Sequence, residues 1–133
     1  MGNKTILVIE DNEMNMKLIR ALLQIGQCNM IEAGDAESGI QLARARKPDL
    51  ILMDVQLPGM NGLDATRFLK KDPALKQIRV IALTSYAMEG DAKKAREAGC
   101  DGYITKPIDT RAFLDTIRKF LQGSREKNQV FVE

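Results

Sequence analysis

Three carboxylates, a pair of hydroxyls and one lysine stand where apolar runs of this chain end. Ile6-Leu7-Val8-Ile9 ends on Glu10-Asp11, and Leu50-Ile51-Leu52-Met53 ends on Asp54. Val80-Ile81-Ala82-Leu83 ends on Thr84-Ser85, and the shorter Tyr103-Ile104 leads through Thr105 to Lys106. If these runs are parallel strands, their carboxyl ends lie along one edge of a sheet, where open α/β folds bind ligands. Acids, hydroxyls and ammonium would then share one cleft.

The chemistry of that cleft follows from charge. Three carboxylates on neighbouring strand ends repel one another and invite a hard divalent cation; Mg²⁺ typically takes one or two carboxylates plus waters and phosphate oxygens. Glu10, Asp11 and Asp54 together carry three negative charges, which Lys106 and one divalent ion would neutralise. A carboxylate is also a competent phosphoryl acceptor, and such transfer needs mainly positioning and charge stabilisation. Asp54 is the natural nucleophile. Lys106 and the metal would hold the dianion formed on it, with a hydrogen bond from Thr84 or Ser85.

The elements that must position these groups are legible in the rhythm of the chain. Short apolar runs alternate with amphipathic stretches, which reads as repeated βα units around a parallel sheet. Strands are predicted near 4 to 9, 28 to 33, 49 to 54, 78 to 84 and 101 to 105. Met14, Leu18, Ala21, Leu22 and Ile25 repeat at the spacing of a helix face, as do Ala36, Ile40 and Ala43, and then Phe113, Ile117, Phe120 and Leu121. Ala92, Ala95 and Ala98 predict a helix anchored only by small residues, a mobile element of the kind a switch uses. Asp35 and Asp109 stand at predicted N-caps, and Gly26 and Gly99 where helices should end.

Strands buried on both faces are continuously apolar, whereas edge strands are short or mixed. The second strand carries Asn29 and Glu32 and the fifth is short, so both belong at edges. The predicted architecture is therefore a flavodoxin-like doubly wound (βα)5 fold, a five-stranded parallel sheet of order 2-1-3-4-5 with helices on both faces. A dinucleotide-binding arrangement is disfavoured because no G-x-G-x-x-G follows the first strand.

Composition excludes as much as it suggests. A length of 133 residues fits one domain, read as residues 1–121, with the polar stretch 122–129 and Val130-Phe131-Val132-Glu133 as a tail or linker. Hydrophobic content of 44% and charged content of 29% are those of an ordinary globular protein. A net charge of +2 gives no reason to expect nucleic acid or a membrane surface. The absence of a long apolar stretch points to a cytoplasmic protein. Cys28 and Cys100 read as reduced core cysteines. Histidine is absent, which removes a histidine nucleophile, a Ser/His/Asp or Cys/His triad and a histidine metal ligand.

Taken as a set, Ile6-Leu7-Val8-Ile9-Glu10-Asp11-Asn12, the stretch from Pro48 through Asp54 to Pro58-Gly59-Met60-Asn61-Gly62, Ala82-Leu83-Thr84-Ser85 and Gly102-Tyr103-Ile104-Thr105-Lys106-Pro107 resemble the CheY-like receiver domains of two-component response regulators. The resemblance implies that Asp54 accepts phosphate from a phosphohistidine on a histidine kinase or histidine phosphotransfer protein. It further implies that Glu10 and Asp11 hold Mg²⁺, Asp11 the more directly, together with Asp54 and the main-chain carbonyl of Gln56. Lys106 would bind the phosphoryl group, Thr84 would move to meet it, and the ring of Tyr103 would turn inward as Thr84 moves. Lys106-Pro107 resembles the family's cis bond. A downstream protein would be met by the fourth helix, fifth strand and fifth helix, with no direct contact to nucleic acid or membrane. Asn12, Met14-Asn15-Met16-Lys17 and Ala87-Met88-Glu89-Gly90-Asp91 are similar to stand-alone cell-cycle receivers of the DivK kind and to receivers of hybrid kinases. The rival reading is a phosphatase with an aspartate nucleophile, of the haloacid dehalogenase kind. Such enzymes place a second acid two residues after the nucleophile, where this chain has Gln56. A flavin or nucleotide carrier on the same fold would bring phosphates against acid-rich strand ends.

Overall fold

The computed structural model describes residues 3–85 and 89–122, with backbone alone at 89–91. Strands and helices alternate without exception: β1 (Thr5–Ile9), α1 (Glu13–Ile25), β2 (Asn29–Ala33), α2 (Ala36–Arg46), β3 (Leu50–Asp54), α3 (Gly62–Lys71), β4 (Arg79–Thr84), α4 (Glu89–Ala98), β5 (Gly102–Thr105) and α5 (Thr110–Gln122). Every strand pairing is parallel, and the order is β2-β1-β3-β4-β5. The doubly wound architecture and the two edge strands are as the sequence predicts, and each strand begins one residue after its predicted start. Tyr86-Ala87-Met88 and the tail from residue 123 onward, including Val130-Phe131-Val132, lie outside the described residues.

Successive strand residues point to opposite faces, so the strands feed two cores. Leu7, Ile9, Ile51, Met53, Val80, Ala82 and Tyr103 belong to the core shared with α2, α3 and α4. Ile6, Val8, Leu50, Leu52, Ile81 and Leu83 belong to the core shared with α1 and α5, where Phe113, Ile117 and Phe120 supply most of the helix bulk. Cys100 is buried and Cys28 half-buried, both as free thiols. Among the described residues no helix is long and apolar enough to cross a membrane.

The helix ends are chemically marked. Asp35 accepts the Ser38 N–H at 2.8 Å, and Asp109 accepts the Arg111 N–H at 3.0 Å. Asn12 and Asn61 cap α1 and α3 in the same manner, at 3.0 and 2.9 Å. Gly99 follows α4 with φ of 106°, a conformation that favours glycine. Gly26 does cap α1, but in the right-handed region; the left-handed residue is Gln27, at φ of 61°.

One predicted helix face is corrected. Met14, Leu18, Ala21, Leu22 and Ile25 do lie on α1, yet Met14 is 78% and Ile25 72% exposed. The face against the sheet is Met16, Ile19, Leu22 and Leu23. The sequence of α1 contains two apolar stripes at helical spacing that share Leu22, and periodicity alone does not say which one meets the sheet. The flank carrying Arg20 is fixed by its two-pronged bond to Glu32 on β2, at 2.6 and 2.8 Å. That contact is compatible with Met16 and Ile19 facing inward, where they join the core against β1 and β3.

At the edge of the sheet where the strands begin, Lys70 from α3 acts as a knot. Its Nζ donates to the Ile78 carbonyl at 2.8 Å, to Asp101 Oδ2 at 2.9 Å and to the Lys76 carbonyl at 3.2 Å. Asp101 Oδ2 also accepts the Val80 N–H at 2.9 Å, and the Asp101 N–H donates to the Val80 carbonyl at 2.7 Å. One ammonium thereby sets β4 and β5 in register.

Two stability measurements test this arrangement. Lys70→Met should lower unfolding free energy in urea by about 2 kcal/mol, the scale of hydrogen bonds to a charged group. Ile19→Ala should cost about 2 to 5 kcal/mol as a buried deletion, whereas Met14→Ser should change stability by no more than about 0.5 kcal/mol. A large loss at Met14 with a small one at Ile19 would contradict the assignment of the buried face.

Candidate functional site

Register brings the site residues to one rank. Ile9 of β1 lies beside Met53 of β3, Asp54 beside Leu83 of β4, and Thr84 beside Thr105 of β5. The ladders then run a step past the strands through three further bonds: Glu10 N–H to the Ala33 carbonyl at 3.0 Å, Val55 N–H to the Leu83 carbonyl at 2.9 Å and Lys106 N–H to the Thr84 carbonyl at 2.7 Å. Glu10 continues the alternation of Ile6 and Val8, and Asp54 that of Leu50 and Leu52, so both acids leave the sheet on the α1 and α5 side. Thr84 continues the alternation of Val80 and Ala82, on the side where Tyr103 is buried. The Lys106–Pro107 peptide is cis.

The side chains converge. Lys106 Nζ lies 3.0 Å from Glu10 Oε1 and 3.2 Å from Asp54 Oδ2, with both carboxylates buried. Carboxylate oxygens of Glu10, Asp11 and Asp54 fall within 4.8 Å of one another, Asp11 being the exposed member. Two backbone donors that residue type does not reveal complete the frame. Asn12 N–H donates to Glu10 Oε2 at 3.1 Å, and Gln56 N–H donates to Asp54 Oδ1 at 3.0 Å. The side chain of Asn12 meanwhile caps α1, so one residue ties that helix to the acid cluster. Gln56 is exposed, Thr84 is buried at the end of β4, and Ser85 beside it is exposed.

The loop after Asp54 depends on glycine twice. Gly59 takes φ of 75°. Gly62 opens α3 so close to the end of β3 that a Cβ there would meet the Asp54 carbonyl oxygen at 2.1 Å. Its N–H also donates to the Val55 carbonyl at 3.0 Å.

Electrostatics make the cluster unbalanced. At an effective dielectric near 20, two unit charges 4.8 Å apart interact by about 3.5 kcal/mol and two at 3 Å by about 5.5 kcal/mol. Contacts from Lys106 to two acids therefore roughly offset the repulsion among three, and the cost of burying the acids is left over. Burial is accordingly the largest cause that pushes the Asp54 carboxyl up to about 6, followed by the neighbouring Glu10; the Gln56 N–H and Lys106 oppose the shift. Glu10 Oε1 has the ammonium beside it but no aligned hydrogen bond. Three converging carboxylates offering only oxygen ligands, with one ammonium between two of them, fit a hard divalent cation of the Mg²⁺ class.

Because folding favours protonated Asp54, the unfolded chain binds fewer protons than the folded one between its ordinary value of 3.8 and about 6. Stability from this group is greatest below that window and is lost as pH rises through it. Without divalent metal, Asp54→Asn should match wild type near pH 4 and exceed it by roughly 2 kcal/mol at pH 8, measured by urea unfolding. Millimolar Mg²⁺ should close the gap by stabilising wild type. A difference that does not change with pH would remove burial of Asp54 as its cause.

Comparison with known proteins agrees with this geometry. Residues 6–118 match the response regulator receiver domain family. The chain is 45% identical over 118 residues to the polar-differentiation response regulator DivK of Brucella anthropi, covering 89% of this chain and 96% of that protein. Among solved structures it is similar to the receiver domain of a signal transduction histidine kinase from Syntrophus aciditrophicus, at 26% identity and a TM-score of 0.84, covering 97% of this chain and 98% of the other. It is also similar to the receiver domain of the sensor histidine kinase PA1611 from Pseudomonas aeruginosa, at 28% identity and a TM-score of 0.85, covering 92% of this chain and all of the other. That protein has a magnesium ion coordinated in its active site cleft. A parallel sheet of order 2-1-3-4-5 whose carboxyl edge gathers two acids after β1, one at the end of β3 and a lysine after β5 thus meets a family match over most of its length, and the chain belongs to the response regulator receiver domains of two-component signalling.

Proposed function

We propose that this chain is a phosphorylation-controlled signalling switch in which Asp54 accepts a phosphoryl group from a phosphohistidine on a histidine kinase or histidine phosphotransfer protein. The observation that carries the reading is the buried convergence of Glu10 and Asp54 on Lys106 at 3.0 and 3.2 Å, with Asp11 beside them at the open side. In the transfer an Asp54 carboxylate oxygen attacks phosphorus, the phosphorus–nitrogen bond breaks, and the imidazole leaves with the electron pair. The product on this chain is an acyl phosphate. Absence of histidine fits the reading, since the donor must be another molecule.

Asp11 and Glu10 would hold Mg²⁺ together with Asp54 and the Gln56 carbonyl. The ion would supply neutralising charge for the oxygens of the transferring group. Lys106 then has a second task, because transfer replaces one negative charge at Asp54 by a dianion; its ammonium can leave Glu10 and turn fully to the phosphoryl oxygens. The hydroxyl of Thr84, at the end of the adjoining strand, is the group that would follow. Tyr103 shares its side of the sheet and would respond in turn.

The readout would be a change in protein contacts at α4, β5 and α5. Two features support that surface. Ala95 and Ala98 bury little area to anchor α4. A groove of about 130 Å³ lies along β5 and α5, lined by Tyr103, Ile104, Pro107, Ile108, Ala112 and Phe113. The domain would comprise residues 1–121, with 122–133 as tail or linker, and would work in the cytoplasm without direct contact to membrane or nucleic acid. A phosphatase needs an acid to protonate its leaving group; position 56, where that acid would stand, is an exposed glutamine. The chain would therefore catalyse only its own phosphorylation and dephosphorylation.

Incubation with acetyl phosphate and Mg²⁺, read by intact mass, tests the assignment. Wild type should gain the mass of one phosphoryl group, lose it on standing, and gain none when EDTA is present. Asp54→Ala should gain none under any condition. Labelling that survives this substitution, or steady turnover of a phosphate ester, would overturn the proposal.

A further inference from the structure

Thr66 is the buried polar residue that the phosphoryl chemistry leaves without a task. It lies on α3 with its side chain closed off from solvent, and its Oγ1 donates to the Gly62 carbonyl at 2.8 Å. On its other side, Cys100 Sγ lies 3.9 Å away and donates to the same oxygen. Cys100 sits at the junction of α4 and β5, where its own N–H closes α4 by donating to the Ala95 carbonyl at 3.0 Å. The hydroxyl thus both donates and accepts, and its strongest contact falls on the residue packed against the phosphoryl acceptor.

That contact matters because of how Gly62 sits. A hydroxyl that bonds back to the carbonyl four residues earlier bends a helix by drawing that carbonyl toward itself. Here the carbonyl belongs to the first residue of α3, and the Cα of that residue is so close to the Asp54 peptide that any side chain would collide with it. A small tilt of the first turn of α3 must therefore move the backbone of Asp54. A displacement of about 1 Å in a reacting group is enough to cost orders of magnitude in rate.

We propose that Thr66 is a positioning residue for the phosphoryl acceptor: its hydroxyl, held on Gly62 from one side and by Cys100 from the other, sets the height of α3 against the Asp54 backbone. The inference rests on Asp54 being the acceptor. It adds a link from the acceptor to the end of α4 that runs through the α3 backbone, on the same side of the sheet as Thr84 and Tyr103 but not through those two side chains.

The test compares Thr66→Val, which keeps the shape without the hydroxyl, with Thr66→Ser, which keeps the hydroxyl. The helical bond to the Gly62 carbonyl survives in both, so both should fold, as far-UV circular dichroism and urea unfolding would show. Acetyl phosphate concentration is varied at saturating Mg²⁺, and labelling is followed by intact mass. Thr66→Val should lower the limiting rate about three- to tenfold with the half-saturating concentration unchanged, and Thr66→Ser should restore the rate to within about twofold of wild type. Cys100→Ala, which removes only the outer contact, should give an intermediate rate. Equal rates for Thr66→Val and wild type would overturn the proposal while leaving Asp54 as acceptor, and so would a Thr66→Ser variant as slow as Thr66→Val. Failure of wild type to label at all would instead bring down the acceptor assignment, and the role of Thr66 with it. Should Thr66→Val fail to fold, a Cys100→Ala variant labelling at the wild-type rate beside a slow Thr66→Ser would be sufficient to reject the proposal.

Discussion

Two buried carboxylates facing a single ammonium form an arrangement that the fold must hold against its own electrostatics. Glu10 and Asp54 are almost wholly removed from solvent, and Lys106 reaches both at hydrogen-bonding distance. An ordinary core would replace such a triad with apolar residues, since breaking even between desolvation and attraction is the best a buried ion cluster usually does. What remains is a site short of positive charge, with Asp11 adding a further negative charge at its open side. The deficit suits the cluster to a divalent cation, and in the proposed function it would then suit it to a phosphoryl group.

Holding that deficit falls to the backbone, because side chains with like charge cannot hold one another. Ladder bonds continuing one step past β1, β3 and β5 fix Glu10, Val55 and Lys106, and the Asn12 and Gln56 amides each donate to one acid. Amides are suited to this work. They bring partial positive charge without a side chain that could swing away, and their direction is set by sheet and helix capping rather than by the site. Lys70 performs the complementary task at the opposite edge, where it locks the starts of β4 and β5 and so fixes how Thr84 and Lys106 stand relative to each other.

Much of this could be read from the chain because residue type and strand end coincide. An apolar run that stops on an acid announces both the strand and the acid's place at the sheet edge, which is why the convergence of Glu10, Asp11, Asp54 and Lys106 is legible in the chain. The edge strands were equally legible, since Asn29 and Glu32 have no place in a strand buried on both faces. What escaped is what type does not encode. An amide donor looks the same at every position, so nothing marked Asn12 or Gln56 as partners of the acids. The second apolar stripe on α1 carries the same spacing as the first, and only the packing of Met16, Ile19 and Leu23 against the sheet distinguishes them. Thr66 reads as an ordinary helical threonine until Gly62 is seen against Asp54.

The proposed switch gains its logic from an asymmetry between the elements around the site. α1 is fastened at both flanks, by Arg20 to β2 and by its packing with α5, and Asn12 ties its first turn to Glu10. α3 is pressed against the Asp54 backbone through Gly62 and knotted at its far end by Lys70. α4 meets the core through small side chains: Ala95 and Ala98 give it a shallow seat with Ala92 beside them, and its far end is closed by the Gly99 and Cys100 amides. Added negative charge at Asp54 must be answered by whichever nearby element costs least to displace. Moving α1 or α3 would unseat large apolar side chains or drag on Asp54 itself, at several kcal/mol. Shifting an alanine-lined helix about its closed end exposes far less area, so in the proposed switch added charge at Asp54 would be relieved most cheaply on the β4, α4 and β5 side, where Thr84 and Tyr103 stand.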